Sequence, residues 1–432
     1  MLRMSRRSHA PGCLLIGLLL SLATHAAAQP TTEPAPREWI DPDTGHRIHR
    51  LTDEPNSTGF YFNINAYTPD GKRMVYSAPD GIHVLELASK QTKLLVPTTQ
   101  PGQLRTVIVG HKTPTLYYVN NPEKALYAAN VETGQTRKLA QLPPRGGISS
   151  VNADETLAAG TYIEGTAGED YGQQRVNPPG MTGPLVQPLN KGEMMERRLA
   201  ARLPMVLFTV GLKNGEKREL LHSTDWLNHL LFSPADPTLL MYCHEGPWHK
   251  VDRIWTIRTD GSQNQLIHTR TMAMEIAGHE FWGLDGKTVW YDLQTPRGEV
   301  FWMAGYDLES KRRRWFHLQR DEWSIHFNVT ADEQLFCGDG GDKGQVARAE
   351  NGKWIYLFRP TLNRIDGDSP QGNDKLIQPG VFHAERLVNM AKHNYRLEPN
   401  VRFSPDHKMV LFTSNMLGPS YVFGVEVDKT AP

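Results

Sequence analysis

Along almost the whole chain after residue 37, apolar and polar positions alternate in short runs, and each run is stopped by a turn rich in Asp, Gly, Ser, Thr or Pro. A period of two marks a half-buried strand. One unit recurs, a polar turn carrying Asp or Gly followed at once by such a strand. Its clearest copies are Thr68-Pro69-Asp70-Gly71 before Lys72–Tyr76 and Ser404-Pro405-Asp406-His407 before Lys408–Phe412. Weaker copies begin at Val151, Ser233, Gly283 and Thr330, and a degenerate one runs from Gly110 to Pro114. Most are followed by a further strand pair with its own turn, as at Leu126–Gly134, Val206–Gly215 and Ile254–Gly261. Four short strands per unit, repeated at roughly forty to fifty residues, predict an all-β fold, the β-propeller. Seven copies of the turn predict seven blades.

A propeller has to close its ring, and Ile48–Leu51 near the start suits pairing with Tyr421–Val427 at the end. The repeat is stretched between Gly160 and Leu203 and again between Phe358 and Arg396. Such insertions are expected to cap one face and help build a site, with helices around Gly192–Leu203 and Val381–Lys392. No segment reads as a separate α/β domain.

The N-terminus changes the address. Arg3, Arg6 and Arg7 precede the apolar run Cys13–Ala23, and Ala26-Ala27-Ala28 precede Gln29, the order of a secretory signal. The run is too short for a comfortable membrane span. Residues 1–28 are therefore expected to be removed, leaving residues 29–432 as a single propeller domain in the periplasm or outside the cell, free of the membrane. Lys+Arg and Asp+Glu both number 47, so the formal net charge is zero and no overall field favours nucleic acid. Cys243 and Cys337 remain in the mature chain and are expected as buried thiols, their pairing left open by the sequence.

Candidate chemistry concentrates around Gly278-His279-Glu280-Phe281-Trp282. Upstream lie Cys243-His244-Glu245-Gly246-Pro247-Trp248-His249 and Asp252-Arg253-Ile254-Trp255; downstream lie Trp323–Asn328 and Gly338-Asp339-Gly340. His244 to His249 superficially resembles a helical zinc motif, but it has one residue too many and Gly246-Pro247 would break the helix. No Gly-x-Ser-x-Gly elbow occurs, and Gly338–Gly344 lacks phosphate-loop spacing. Proton abstraction beside a carboxylate does suit these residue types. It needs a base such as neutral histidine and cationic stabilisation of the developing dianion by arginine or a metal.

At these segments, together with Asp225-Trp226-Leu227-Asn228-His229 and Cys337-Gly338-Asp339-Gly340, the sequence resembles the oligogalacturonate lyases, polysaccharide lyases with a seven-bladed propeller and a manganese-type metal site. The resemblance runs through most of the mature chain and is strongest from Trp226 to Gly340. It implies that His279 is the base taking the C5 proton of a uronate, that Arg253 holds the carboxylate, and that His326 is a metal ligand. One departure stands out. Where the family has a glutamine and two histidines before its Phe-Thr-Pro-Asp turn, alignment on Phe403–Asp406 places Tyr395, Glu398 and Asn400. Glu398 and Asn400 remain oxygen ligands, suited to Mn²⁺ first and also to Ca²⁺ or Mg²⁺. His244, Glu245, Trp282 and Tyr395 are candidates for the substrate pocket, Trp282 by stacking on a sugar ring.

The resulting expectation is a lyase that cleaves short uronate-containing oligosaccharides by β-elimination, giving 4,5-unsaturated products. Against it stand the bland readings of the same residues: a structural histidine, a blade-to-blade ion pair at Arg253, tryptophans buried as core. Two rival functions share the fold, a non-catalytic periplasmic scaffold and a hydrolase using two carboxylates. A lyase for a different uronate oligosaccharide is a variant of the first reading.

Overall fold

The computed structural model describes residues 36–165, 190–345, 347–363 and 376–429; the expected signal segment and parts of both insertions lie outside the described residues. What is described is nearly all β. Sheets built mainly of antiparallel strands follow one another along the chain: Leu104–Val109, Thr115–Asn120, Ala125–Asn130 and Thr136–Gln141 form one, and Trp226–Phe232, Leu239–Glu245, Ile254–Arg258 and Gln265–Leu266 another. In between, Gly146–Val151, Leu157–Ile163, Met205–Gly211 and Lys217–Ser223 make a sheet whose second and third strands are separated by the long insertion. The strand sequence Arg73–Ala78, Gly81–Glu86 and Thr92–Pro97 has only an irregular first member, residues 58–67, tied on by bridges Thr58 to Ser77 and Tyr67 to Met74.

The chain is a β-propeller. Its ring closes as the alternation foretells: Arg47–Arg50 pairs with Tyr421–Glu426 in the register Ile48 to Val425, joining both ends of the chain in a five-stranded sheet. The helix expected near Gly192–Leu203 forms at Lys191–Ala201, with the Asn190 side chain capping the N–H of Glu193. The second expected helix does not. Ile377–Asn389 is a long strand, because Trp354–Leu362 offers it a full antiparallel ladder and its start pairs in parallel with Arg313–His317. That parallel seam joins Ile276–Leu318 and the following strands into one eight-stranded sheet. Tertiary pairing here overrides the helical leaning of His383-Ala384-Glu385-Arg386-Leu387. Among the described residues no helix is long and apolar enough to cross a membrane.

All the recurring turns join the first strand of a unit to the second. In Thr68–Asp70, Thr330–Asp332 and Ser404–Asp406 the hydroxyl donates to the aspartate Oδ1 at 2.6, 2.6 and 2.7 Å, and the same oxygen accepts the N–H two residues on. This is the Asx turn that makes Asp the marker residue. The strands between turns feed two cores at once. Along Leu239–Glu245, Leu240 and Tyr242 pack with Leu207 and Leu227, whereas Met241 packs with Val289 and Tyr291. Each such side chain contributes about 1.5–3 kcal/mol on burial, and stacking a sheet on both faces explains why an inner strand such as Leu239–Glu245 is more continuously apolar than the alternation elsewhere along the chain. Cys243 and Cys337 are free and fully buried, as expected.

Candidate active site

The strand Ile276–Trp282 does not run straight. Its register with Thr288–Gln294 shifts between Gly278 and Phe281, and His279, inside the shift, has a φ of 44°. The neighbouring first strand does the same, with a shift between Asn228 and Leu231 and His229 at φ 48°. Left-handed backbone costs a non-glycine residue about 1–2 kcal/mol, and a bulge of this kind re-aims a side chain out of the strict alternation. Gly278 completes the arrangement: a Cβ there would lie 2.8 Å from the ring of Trp248, so only glycine lets that indole lie against the strand.

His279 is buried, and its Nδ1 is 3.0 Å from Asp292 Oδ1. Asp292 comes from the adjacent strand, directly opposite Gly278 in the ladder. The imidazole meets Trp248 edge-on at 5.0 Å and His326 edge-on at 4.9 Å between ring centres. Burial first, then the charges of His326 and Arg253, hold the imidazole well below its usual range. The ring is neutral, and with Asp292 engaging Nδ1 its Nε2 is the nitrogen open to a proton. Burial pushes Asp292 up to about 7.

Arg253 also meets Trp248, its guanidinium 5.0 Å from the indole ring. Nε donates to Glu280 Oε2 at 3.0 Å and Nη1 to Glu245 Oε1 at 2.7 Å, all three residues being buried. Among the described residues no acceptor is bonded to Nη2. Glu245 also meets His229 Nε2 at 3.1 Å. Burial works to raise both carboxyls, but Arg253 and His229 outweigh it and hold both below the ordinary range. Arg253, Glu245 and Glu280 are therefore all ionised.

His326 is completely buried at the head of Phe327–Val329. Asp339 fixes it three ways: Oδ2 is 2.7 Å from the ring Nδ1, and Oδ1 accepts the N–H of His326 at 2.8 Å and of Ile325 at 3.1 Å. Its Nε2 has no hydrogen-bond partner, and Glu398 Oε2 stands 3.7 Å away. A buried imidazole with one nitrogen held by a carboxylate and the other orphaned is the arrangement of a metal-ligating histidine. His326 and Glu398 thus fit a divalent cation. Asn400 supports them instead of joining them: its backbone N–H donates to Asp339, its Nδ2 donates to the Glu398 carbonyl, and its Oδ1 accepts from the N–H of Phe62. A second trio of donors, His229, Cys243 and Glu245, lies within 4.8 Å, but Glu245 is already paired with the Arg253 cation.

Three sequence candidates move elsewhere. His244 and Glu245 are neighbours on one strand and so face opposite ways; His244 stacks on Trp255 at 5.0 Å, away from Arg253. Trp282 is buried with its Nε1 donating to the Leu231 carbonyl, and it lines a cavity with Leu231 and Phe281 instead of meeting the histidines. Tyr395 is also buried, its hydroxyl donating to the Asp339 carbonyl, where it braces the loop that holds His326. Conversely, the sequence reading passed over Trp248 as a neighbour of His279, Asp292 as its carboxylate, and the segment Tyr61-Phe62, which stacks on His326 at 4.6 Å through Phe62 and meets it edge-on at 5.1 Å through Tyr61. For Asp292 a signal existed: the hairpin turn at Leu284–Lys287 puts it opposite Gly278. For Tyr61-Phe62 none did, since the contact spans more than two hundred and sixty residues of chain.

A propeller that gathers a neutral histidine, a buried arginine and an orphaned imidazole nitrogen has the makings of an oligosaccharide lyase. Residues 186–430 match the family described as oligogalacturonate lyase, and the chain belongs to that family. It is similar to the oligogalacturonate lyase of Dickeya dadantii, 25% identical over 409 residues that cover 90% of this chain and 95% of that protein. Among solved structures it is similar to an oligogalacturonate lyase in complex with manganese, at a TM-score of 0.70 and 23% identity over 91% of this chain and 96% of the other. A β-propeller domain from Myceliophteria thermophila aligns at a TM-score of 0.50 and 9% identity, covering 86% of this chain and 98% of its own, a likeness of fold alone.

Proposed function

We propose that the protein cleaves oligogalacturonides by β-elimination on a seven-bladed propeller, with His279 as the base. The observation that carries this reading is the His279–Asp292 pair: a neutral imidazole with Nδ1 engaged and Nε2 open, in ring contact with His326 and sharing Trp248 with Arg253. Nε2 takes the proton from C5 of the uronate. The C–H electrons form the C4–C5 double bond, and the C4–O bond breaks with its electrons leaving on the glycosidic oxygen. No water is consumed. Arg253 offers Nη2 to the substrate carboxylate, with Glu245 and Glu280 fixing the plane of the guanidinium. His326 and Glu398 would hold a divalent cation, Mn²⁺ being the first candidate, and when bound it supplies further positive charge beside that carboxylate.

Ultraviolet absorbance tests the reading, because elimination creates a conjugated double bond and hydrolysis does not. Purified protein with digalacturonate and trigalacturonate is expected to show a rise; silence on both with folded protein returns the weight to a binding propeller. The two-carboxylate hydrolase is disfavoured, since Glu245 and Glu280 are both held ionised by Arg253 and neither is available as an acid. Chelation with EDTA is expected to lower the rate at least about ten-fold, added Mn²⁺ to restore it, and His326→Ala to make the rate indifferent to both.

Asp292 gives the reaction its pH dependence. Below about pH 7 its carboxyl is protonated and donates to Nδ1, so the ring carries its proton on Nε2 and has no lone pair for C5. Above that pH the carboxylate accepts from Nδ1–H and Nε2 is free. kcat/KM should therefore rise with pH through about 7 and then level off. Asp292→Asn should lose about 10²-fold or more at pH 8 and flatten the profile, since an amide in this position no longer selects the tautomer. A profile unchanged in the variant would remove Asp292 from the mechanism.

A further inference from the structure

The first strands serve two compartments. Two residues beyond each of four residues at or beside the histidine cluster, the chain lines a second space together with Phe62: Leu231 after His229, Phe281 after His279, Asn328 after His326 and Arg402 after Asn400. Together they line a cavity of about 480 Å³, separate from the histidines and within the range that holds small molecules. Its mouth lies at the recurring turns, where Pro69, Leu284 and Pro405 are exposed.

The cavity wall carries no aspartate or glutamate. It does carry Arg402, a guanidinium 4% exposed with no carboxylate in ion-pair reach among the described residues. Arg402 donates to the carbonyls of Ile64 at 2.8 Å, of Tyr61 at 2.9 Å and of Phe60, which engages three of its five N–H groups. Buried arginines are otherwise paired with an anion. Tyr67 on the same wall has a buried hydroxyl with no hydrogen-bond partner, and His111, Asn328 and His407 supply further polar groups. The wall carries one cation and no acid, and the aspartates next in sequence to the rim, Asp70, Asp285 and Asp406, are each engaged by hydrogen bonds within their own turns, so the interior favours an anion. We propose that this cavity binds a small hydroxylated carboxylate, its carboxylate on the Arg402 guanidinium and its hydroxyls on the polar wall.

Isothermal titration with D-galacturonate, and with D-galactose as the ring lacking the carboxylate, tests this on the full chain. The wild type is expected to bind the acid and not the neutral sugar at the same concentration. Arg402→Met should abolish that component. Leu284 is 53% exposed at the rim, so Leu284→Asp should weaken binding about five-fold by placing a like charge at the mouth, with Leu284→Asn unchanged and the melting temperature unmoved in both. His279→Ala should retain the component, which separates it from uptake at the catalytic cluster. Equal binding of D-galactose, or an isotherm indifferent to Leu284→Asp, overturns the proposal; should Arg402→Met fail to fold, the Leu284 pair decides alone. An enzyme that eliminates normally in the absorbance assay yet shows no such binding leaves the lyase reading intact and overturns this one.

Discussion

Replacing His279 by alanine is expected to cut kcat on trigalacturonate about 10³-fold, the contribution of a positioned general base, while the protein stays folded. The loss should fall on kcat far more than on KM, because the imidazole acts on the proton in flight and Arg253 is left to hold the carboxylate. His279→Asn is the sharper control. Asparagine tolerates the left-handed backbone that His279 adopts at φ 44° and can still hydrogen-bond Asp292, but it cannot accept a proton at C5. Both variants should be equally inactive and should melt close to the wild type. Residual activity above about one tenth of wild type in His279→Asn would assign the base elsewhere.

Arg253→Met carries the second large effect, and it should strike stability as well as rate. Methionine fills most of the volume under Trp248, yet it leaves Glu245 and Glu280 buried with no cation between them. Removing one partner of a buried ion pair costs about 3–5 kcal/mol, so thermal unfolding should begin well below that of the wild type, with activity at background. The sign of the pH dependence follows from the carboxyls. Both have folded-state values held below the ordinary range, so the stability they confer is present above that range and is lost as pH falls through their lowered values. In Arg253→Met the larger part of that hold is gone and only His229 remains, so protonation of the carboxyls becomes more favourable and the variant should be relatively more stable at pH 5 than at pH 8. Arg253→Lys keeps the charge but cannot donate from two fixed directions at once, and should rank between the two in both readouts. Equal melting temperatures for Arg253→Met and wild type would mean that the glutamates find other partners.

Much of the fold was legible because its signal is local and repeated. The Thr68-Pro69-Asp70 and Ser404-Pro405-Asp406 turns are read from a few residues, and the hydroxyl-to-carboxylate bonds that make them turns are formed by those same residues. The closing pair Ile48 and Val425 was legible by necessity, since a ring of sheets must pair its ends. Ile377–Asn389 was misread for the opposite reason: what makes it a strand is Trp354–Leu362, and no property of its own residues announces that partner. The site divides the same way. His279, Arg253 and His326 stood out by residue type and by resemblance, and the structure brings their rings and charges together. Which neighbours a strand residue faces depends on register, so His244 was placed beside Glu245 although alternation sends the two to opposite faces. Tyr395 and Asn400 took positions given by alignment alone, and there the side chains hydrogen-bond to backbone.

Phe62 belongs to two rooms. It stacks on His326 on one side and lines the opposite cavity on the other, and its backbone is pinned from both directions, by Asn400 at its N–H and by Arg402 at the carbonyls on either side of it. One side chain is therefore a wall of both. Among the described residues, a change at Phe62 is felt on both sides at once, at the His326 imidazole and at the wall of the cavity.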